Sequence, residues 1–235
     1  MKIALIGYGK MGKAIERIAL AKGHEVLAKF GSEGIDNDLL QKADVAIEFS
    51  KPEVAVQNLK TCFALGVPVI CGTTGWLEQK NDVLEVFKSN GTAFLYASNF
   101  SIGVNLFFNL NKYLATIMNE QTQYDIKMEE IHHTAKLDAP SGTAITIAED
   151  ILKLIARKKQ WTKEHSDNQE EINIFSIREN PAPGTHSVFY DSEIDSIEIK
   201  HTAHSRDGFA GGAVLAAEWI LGKKGIYSMN DVLGF

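Results

Sequence analysis

Cys62 and Cys71 are the only cysteines in the 235 residues, and they form no C-x-x-C pair. A disulfide framework is therefore excluded, and a reducing cytosol is the expected setting. Both cysteines read as small buried hydrophobes. Dense basic runs are missing too. The 24 Lys and Arg are scattered and outnumbered by 30 Asp and Glu, for a formal net charge of -6. Nothing here attracts a phosphate backbone, so nucleic acid is not an expected partner. No stretch approaches the roughly 18 apolar residues that a membrane helix needs. The opening Met1-Lys2-Ile3-Ala4-Leu5-Ile6 resembles a signal peptide, but Gly7 interrupts it early and no cleavage site follows. A cytoplasmic protein without a membrane partner is expected. Internal repeats and low-complexity tracts are also lacking.

What is present is an ordinary globular composition. Hydrophobic residues at 45% and charged residues at 23% argue against disorder, collagen-like repeats and coiled coil. The length suits one large domain or two modest ones. Strands are expected at Lys2–Ile6, Glu25–Lys29, Val45–Phe49, Val67–Cys71 and Ala93–Ala97. These runs are apolar on nearly every residue, as in a parallel sheet covered on both faces. Between them, a helix begins near Lys10 and stops at Gly23. Another is opened by a capping box at Ser50-Lys51-Pro52-Glu53 and stopped by Gly66.

After Asn99 the rhythm changes. A helix is expected over Val104–Met118, an alternating strand over Tyr124–Ile131 and an amphipathic helix over Ser141–Lys158. Trp161–Gln169 reads as a polar connector. Further strands follow at Glu171–Arg178, His186–Tyr190 and Ile194–Ala203, the last two joined by Asp191-Ser192-Glu193. A small-residue helix, Gly208–Leu221, stops at Gly222 and should return to the first domain. The expected fold is α/β: a Rossmann-type dinucleotide-binding domain of residues 1–99 plus 209–235, with an inserted α+β domain of residues 100–208. The inserted domain would bind substrate and carry an open sheet that serves oligomerisation. The active site is expected at the C-terminal edge of the parallel strands, in a cleft facing the second domain.

Gly7-Tyr8-Gly9-Lys10-Met11-Gly12 is a G-x-G-x-x-G string between a strand and a helix, the context that makes it a dinucleotide fingerprint. Gly7 permits the tight turn, Gly9 lets backbone approach the pyrophosphate, and Gly12 lets the helix pack against the strand. The helix N-terminus presents unpaired N–H groups and a positive dipole end to the phosphates. The acid that would bind an adenosine ribose is lacking, because the second strand ends Lys29-Phe30-Gly31. Lys29 would favour a 2′-phosphate, with Glu33 as an alternative serving NADH. A plain solvated charge at Lys29 is the competing reading. NADPH or NADH is the expected cofactor.

Residues 130–143, Glu-Ile-His-His-Thr-Ala-Lys-Leu-Asp-Ala-Pro-Ser-Gly-Thr, concentrate two histidines, a lysine and a helix start. Adjacent histidines on a strand point to opposite faces, so only a strand end or loop could aim both at one substrate. Ser141-Gly142-Thr143 offers backbone N–H groups and a hydroxyl to an anion such as a carboxylate. Lys136 adds a full positive charge and a proton. Without other information, a His-His pair is more often a surface or core feature. His201 and His204 with His132 and His133 could be imagined as a zinc site, but tight ligand spacing and cysteine partners are missing. No metal is expected. Arg206 is either a surface charge or an anion anchor.

The string H-H-x-x-K-x-D-A-P-S-G-T resembles the signature of the dihydrodipicolinate reductase family. With it come Gly72-Thr73-Thr74-Gly75, the segment Ala97-Ser98-Asn99-Phe100 running on to Asn105, and His201 through Gly212. Together these motifs span nearly the whole chain.

The resemblance implies NAD(P)H-dependent reduction of a cyclic imine dicarboxylate in diaminopimelate and lysine synthesis. It makes His132 and Lys136 the acid/base pair. His133, Lys136, Gly142 and Thr143 would hold the substrate, and Gly7 to Gly12, Gly72 to Thr74 and Ala97 to Phe100 the cofactor. It also implies a homotetramer built through the second domain's sheet.

Two departures stand out: the missing acid after strand two, and Pro183-Gly184-Thr185-His186, where an acid often precedes the histidine. The first bears on cofactor preference, the second on the sheet. Two alternatives remain, another small-acid dehydrogenase such as an aspartate dehydrogenase, and a non-catalytic NAD(P)H sensor. A sensor would keep Gly7, Gly9 and Gly12 but would have no use for His132, His133 and Lys136.

Overall fold

The computed structural model describes residues 1–235. The chain divides into two compact units, Met1–Ile102 with Asp207–Phe235, and Gly103–Arg206. The first begins β1 (Lys2–Ile6), α1 (Lys10–Ala21), β2 (Glu25–Phe30), the single turn α2 (Asn37–Leu40), β3 (Val45–Glu48) and α3 (Pro52–Ala64). It continues with β4 (Val69–Cys71), a 3-10 turn into α4 (Lys80–Lys88), and β5 (Ala93–Tyr96). The chain then runs through α5 (Ile102–Met118), β6 (Asp125–His132), α6 (Gly142–Leu154), β7 (Gln160–Thr162), β8 (Glu171–Arg178), β9 (Gly184–Asp191) and β10 (Ser196–Ala203). It ends with α7 (Asp207–Ile220), β11 (Gly225–Tyr227) and α8 (Met229–Leu233).

In the first unit six strands pair in the order β11-β5-β4-β3-β1-β2, every pair parallel. Alternation along β1 explains why its run is apolar throughout. Ile3 and Leu5 enter one core with residues of α1 and α7, while Ala4 and Ile6 enter a second core with Leu59 and Phe63 of α3. Helices therefore cover both faces. α7 packs so closely that a Cβ on Gly212 would stand 1.8 Å from the Phe100 carbonyl oxygen. Helix ends fall where sequence placed them, with Gly23, Gly66 and Gly222 at positive φ just beyond α1, α3 and α7.

The capping box does not form. Lys51 is the N-cap of α3, with Pro52 in the first turn. The Ser50 hydroxyl donates instead to the carboxylate of Glu48, a fully buried acid that also receives an amide hydrogen from Asn58 at 3.3 Å. A buried carboxylate must collect donors, and it outcompetes the helix end for this side chain.

The second unit is a five-stranded mixed sheet in the order β10-β9-β6-β8-β7, with β6 parallel to β8 and antiparallel to β9. One face packs under α5 and α6, where Ile126, Met128, Ile172, Ile174, Val188 and Tyr190 meet Phe107, Ile147 and Ile151. The opposite face leaves Phe175 and Ile177 exposed. α6 stops at Leu154, short of the expected Lys158. Ile155 is extended and fully buried, and Lys158 sends its ammonium to Asp125 at 2.5 Å and the Glu171 carbonyl at 2.8 Å. Strand β7 overlaps the start of the expected connector and is too short to show alternation. No helix is long and apolar enough to cross a membrane.

Candidate active site

In the first unit β1 delivers the chain into the glycine turn. Gly7 has φ +91°, and a Cβ there would stand 2.1 Å from the Phe49 carbonyl oxygen. A Cβ on Gly12 would meet the Gly7 carbonyl oxygen at 2.5 Å. Gly9 differs, because it is the N-cap of α1, has no side-chain cap, and faces open space. Backbone N–H groups at that end remain available to an anion. Gly7, Tyr8, Gly9 and Lys29 line a cavity of about 740 Å³, with Glu33, Lys51 and Asn58 on its other walls. Met11, Gly72, Thr73 and Thr74 line a second of about 220 Å³ with Ser50. Ser50 links to that loop through its N–H, which donates to Thr73 Oγ1 at 2.8 Å. A Cβ on Gly72 would lie 2.2 Å from the Phe49 ring, so a side chain there requires that ring to move. The uncapped helix end and the open space before Gly9 fit a dinucleotide phosphate.

Other expected cofactor residues are placed differently. Lys10 and Ser98 are exposed, whereas Ala97 and Phe100 are buried in the core, the Phe100 ring 5.5 Å from that of Phe49. Asn99 accepts the Ser101 N–H at 2.9 Å. Lys29 is not a plain solvated charge. Its ammonium pairs with Glu16 and lies 5.0 Å over the Tyr8 ring, while the Tyr8 hydroxyl donates to the same carboxylate. Glu16 raises the pKa of Lys29, and Lys29 lowers that of Glu16. Glu33 accepts the Gly31 N–H at 3.0 Å.

In the second unit β6 alternates inward Ile126, Met128, Glu130 and His132. His132 is the last strand residue and is buried; His133 begins the loop, its N–H donating to the Ala182 carbonyl at 2.8 Å. The strand end thus separates two adjacent histidines. A turn follows, with the Lys136 N–H bonded to the His133 carbonyl at 3.0 Å. The Lys136 ammonium contacts both Asp138 carboxylate oxygens at 2.8 Å. Ser141 then caps α6 by accepting the Ala144 N–H at 3.2 Å, leaving open space beside Gly142. Thr143 follows in the first turn. Arg206, ambiguous in the sequence, reaches this group, its guanidinium 3.3 Å from His133 Nε2.

Beneath these residues lie groups that sequence reasoning missed. Glu130 is fully buried, His186 is 5% exposed, and Arg178 closes the carboxylate from β8. His186 therefore bears on the site as well as on the sheet, its ring in edge contact with His132 at 5.1 Å between centroids. The legible signal was an acid at a core-facing position of an alternating strand.

Burial drives His132 below the ordinary imidazole range against the pull of Glu130, and Lys136 and Arg178 add to the lowering. Burial pushes Glu130 up, yet hydrogen bonds from Ser141 and Ser176 outweigh it and hold the carboxyl below the usual range. Glu130, His132 and His186 have ligand-type atoms all within 4.8 Å, a spacing a metal could use. The carboxylate, however, already binds the Arg178 cation at 3.2 Å. Hydrogen bonds from Ser141, Ser176 and Arg178 gather on the acid and Ser141 Oγ lies 3.2 Å from His186 Nε2, while His132 Nδ1 approaches the carboxylate at 3.4 Å without a hydrogen bond.

Comparison with known proteins finds relatives along nearly the whole chain. The family described as dihydrodipicolinate reductase, N-terminus, matches residues 1–100, and its C-terminus counterpart matches residues 103–233. A 4-hydroxy-tetrahydrodipicolinate reductase of Christiangramia forsetii is 50% identical over 234 residues, covering 99% of this chain and 98% of that one. Another, from Methanoregula boonei, is 38% identical over 197 residues, covering 83% and 76%. Among solved structures, a dipicolinate-bound dihydrodipicolinate reductase from Paenisporosarcina sp. TG-14 superimposes with a TM-score of 0.79 at 21% identity, covering 97% of each chain.

Proposed function

Because the chain belongs to the dihydrodipicolinate reductase family, we propose that its residues 132–143 protonate and hold a cyclic imine dicarboxylate during its NAD(P)H-dependent reduction to tetrahydrodipicolinate: 4-hydroxy-tetrahydrodipicolinate, which loses its 4-hydroxyl as water to give the conjugated dihydrodipicolinate that takes the hydride. The reaction belongs to diaminopimelate and lysine biosynthesis. The cofactor is held by the unit of residues 1–99 plus 209–235, at Gly7 to Gly12, Lys29, Gly72 to Thr74 and Ala97 to Phe100. Bound there, NAD(P)H supplies the hydride to C4 of the conjugated imine.

The protein's own residues do the rest. C3 of the resulting enamine takes a proton, and His132 with Lys136 supplies it. Two substrate carboxylates need two cationic or N–H-rich subsites. His133, Lys136, Gly142 and Thr143 provide them, with Arg206 adding charge beside His133. The observation that carries this reading is the α6 start. Ser141 satisfies one orphan N–H with its own side chain, and the open first turn at Gly142 sits in the same short segment as His132, His133 and Lys136.

The open sheet face bearing Phe175 and Ile177 is the surface through which a homotetramer would assemble. The setting is the cytoplasm. The test of the function is direct: NADPH mixed with freshly generated cyclic substrate should lose its 340 nm absorbance when enzyme is added. No loss above the enzyme-free rate, with NADH as well, would remove the proposal.

A further inference from the structure

Register across the second sheet puts four polar residues in one row. Ser176 of β8 lies opposite Glu130 of β6, Glu130 lies opposite His186 of β9, and His186 lies opposite His201 of β10. Directly opposed residues share a face, and this is the face that elsewhere carries Ile126, Met128, Ile174 and Val188 into the core. An acid with no exposed surface in such a place is strongly disfavoured unless its oxygens are filled. Glu130 fills them. The Ser141 N–H reaches both oxygens at 3.0 and 3.1 Å, the Ser176 hydroxyl donates at 2.8 Å, and Arg178 Nη2 donates at 3.2 Å. The oxygen on the other side stands 3.4 Å from His132 Nδ1 and 3.8 Å from His186 Nε2.

These partners belong to two functional groups. Ser141 is the N-cap of α6 and fixes where the first turn, Gly142 and Thr143, begins. His132 is the proton carrier of the proposed reaction. We propose that Glu130 is a positioning residue for this chemistry, one buried carboxylate that holds the His132 imidazole and the α6 N-terminus in a single frame, so that proton delivery and carboxylate binding stay in register. The proposal rests on the assignment of His132 and the α6 start made above. The charged and titratable groups facing His132 are Glu130 from its own strand, Lys136 and Asp138 from the loop, Arg178 from β8 and His186 from β9. Glu130 and Asp138 favour the imidazolium; the others oppose it.

The experiment is Glu130→Gln, which keeps shape and removes charge. Two readouts are taken. Selective NMR labelling of histidine gives the His132 titration midpoint without turnover, and it should move to lower pH by about 1. Steady-state kinetics should show kcat reduced and KM raised together, because both groups lose their common anchor. Glu130→Asp, which keeps the charge but withdraws it, should move the midpoint the same way by less and provides the measurement if Glu130→Gln does not fold. An unmoved His132 midpoint in a folded variant overturns the proposal, as does a kcat loss with unchanged KM. If His132→Ala proves fully active, the catalytic reading fails, while the titration still decides whether Glu130 holds the imidazole.

Discussion

The ammonium of Lys136 is clasped by Asp138, with Nζ 2.8 Å from both carboxylate oxygens. Asp138 is more exposed than its partner and is held below the ordinary carboxylate range chiefly by the hydrogen bond from Lys136. In the proposed reaction a dianionic substrate would share or displace this contact. Solvent screening limits such a pair to about 1 kcal/mol or less. Asp138→Asn should therefore lower KM by up to about fivefold at low salt, and by less at high salt. A raised KM would mean that Asp138 aims the lysine rather than competing for it.

His132 and Lys136 should separate kinetically. A group that acts only on the proton in the transition state affects turnover, so His132→Ala should reduce kcat by roughly 10²- to 10⁴-fold with little change in KM. The proposed function also has Lys136 binding a carboxylate in the ground state, so Lys136→Ala should lower kcat and raise KM. NADPH binding, followed by fluorescence, should survive both. Near wild-type turnover in both variants would sink the assignment.

Lys29 is restrained by Glu16 and by the ring of Tyr8. NADPH should work at least as well as NADH. Lys29→Glu should weaken NADPH selectively, and Glu16→Gln, which frees the ammonium for a 2′-phosphate, should raise the NADPH-to-NADH ratio of kcat/KM. Two variants with the wild-type ratio would show that the lysine does not face the cofactor.

Burial, aided by the charge of His132, pushes His186 down to about 3, so the ring stays neutral in the folded protein. The unfolded chain binds a proton there near pH 6.5, as an ordinary imidazole does. Stability is therefore fully present above that pH and declines as pH falls toward 3, by at most about 1.4 kcal/mol per pH unit for one proton. Melting temperatures between pH 7 and 5, above most carboxylate titrations, should fall for the wild type and fall less steeply for His186→Gln. Parallel slopes would count against a neutral buried ring.

The exposed face of the second sheet carries Phe175 and Ile177. Light scattering should find an oligomer, and Ile177→Glu should dissociate it while leaving secondary structure intact. A wild-type monomer at micromolar concentration would remove the assembly and leave the chemistry untouched.

Much of this architecture is readable from local pattern. The run Lys2–Ile6 followed by three spaced glycines can form little else than a strand turning into an uncapped helix, and the residues that follow repeat the unit. Where pattern failed, it was through brevity or distance. Three-residue strands such as β7 and β11 show no period, and Ser50 answers to Glu48 instead of its helix. His132, His133, Lys136 and the α6 start lie within one segment and were legible together. Glu130 heads the same segment but is missed, because its meaning depends on Ser176, Arg178 and His186, which only strand register brings beside it. Non-local pairing leaves no mark on any one stretch of sequence.

That register has a counterpart in the other unit, where the edge of β5 is covered by β11. The two strands are separated along the chain by the whole of Gly103–Arg206. A ribosome makes β5 long before its partner, so the nascent nucleotide-binding sheet waits with an open, apolar edge while the intervening unit is synthesised and can fold first. The order of manufacture is thus inverted relative to the order of the first strands: the domain begun first is the one completed last.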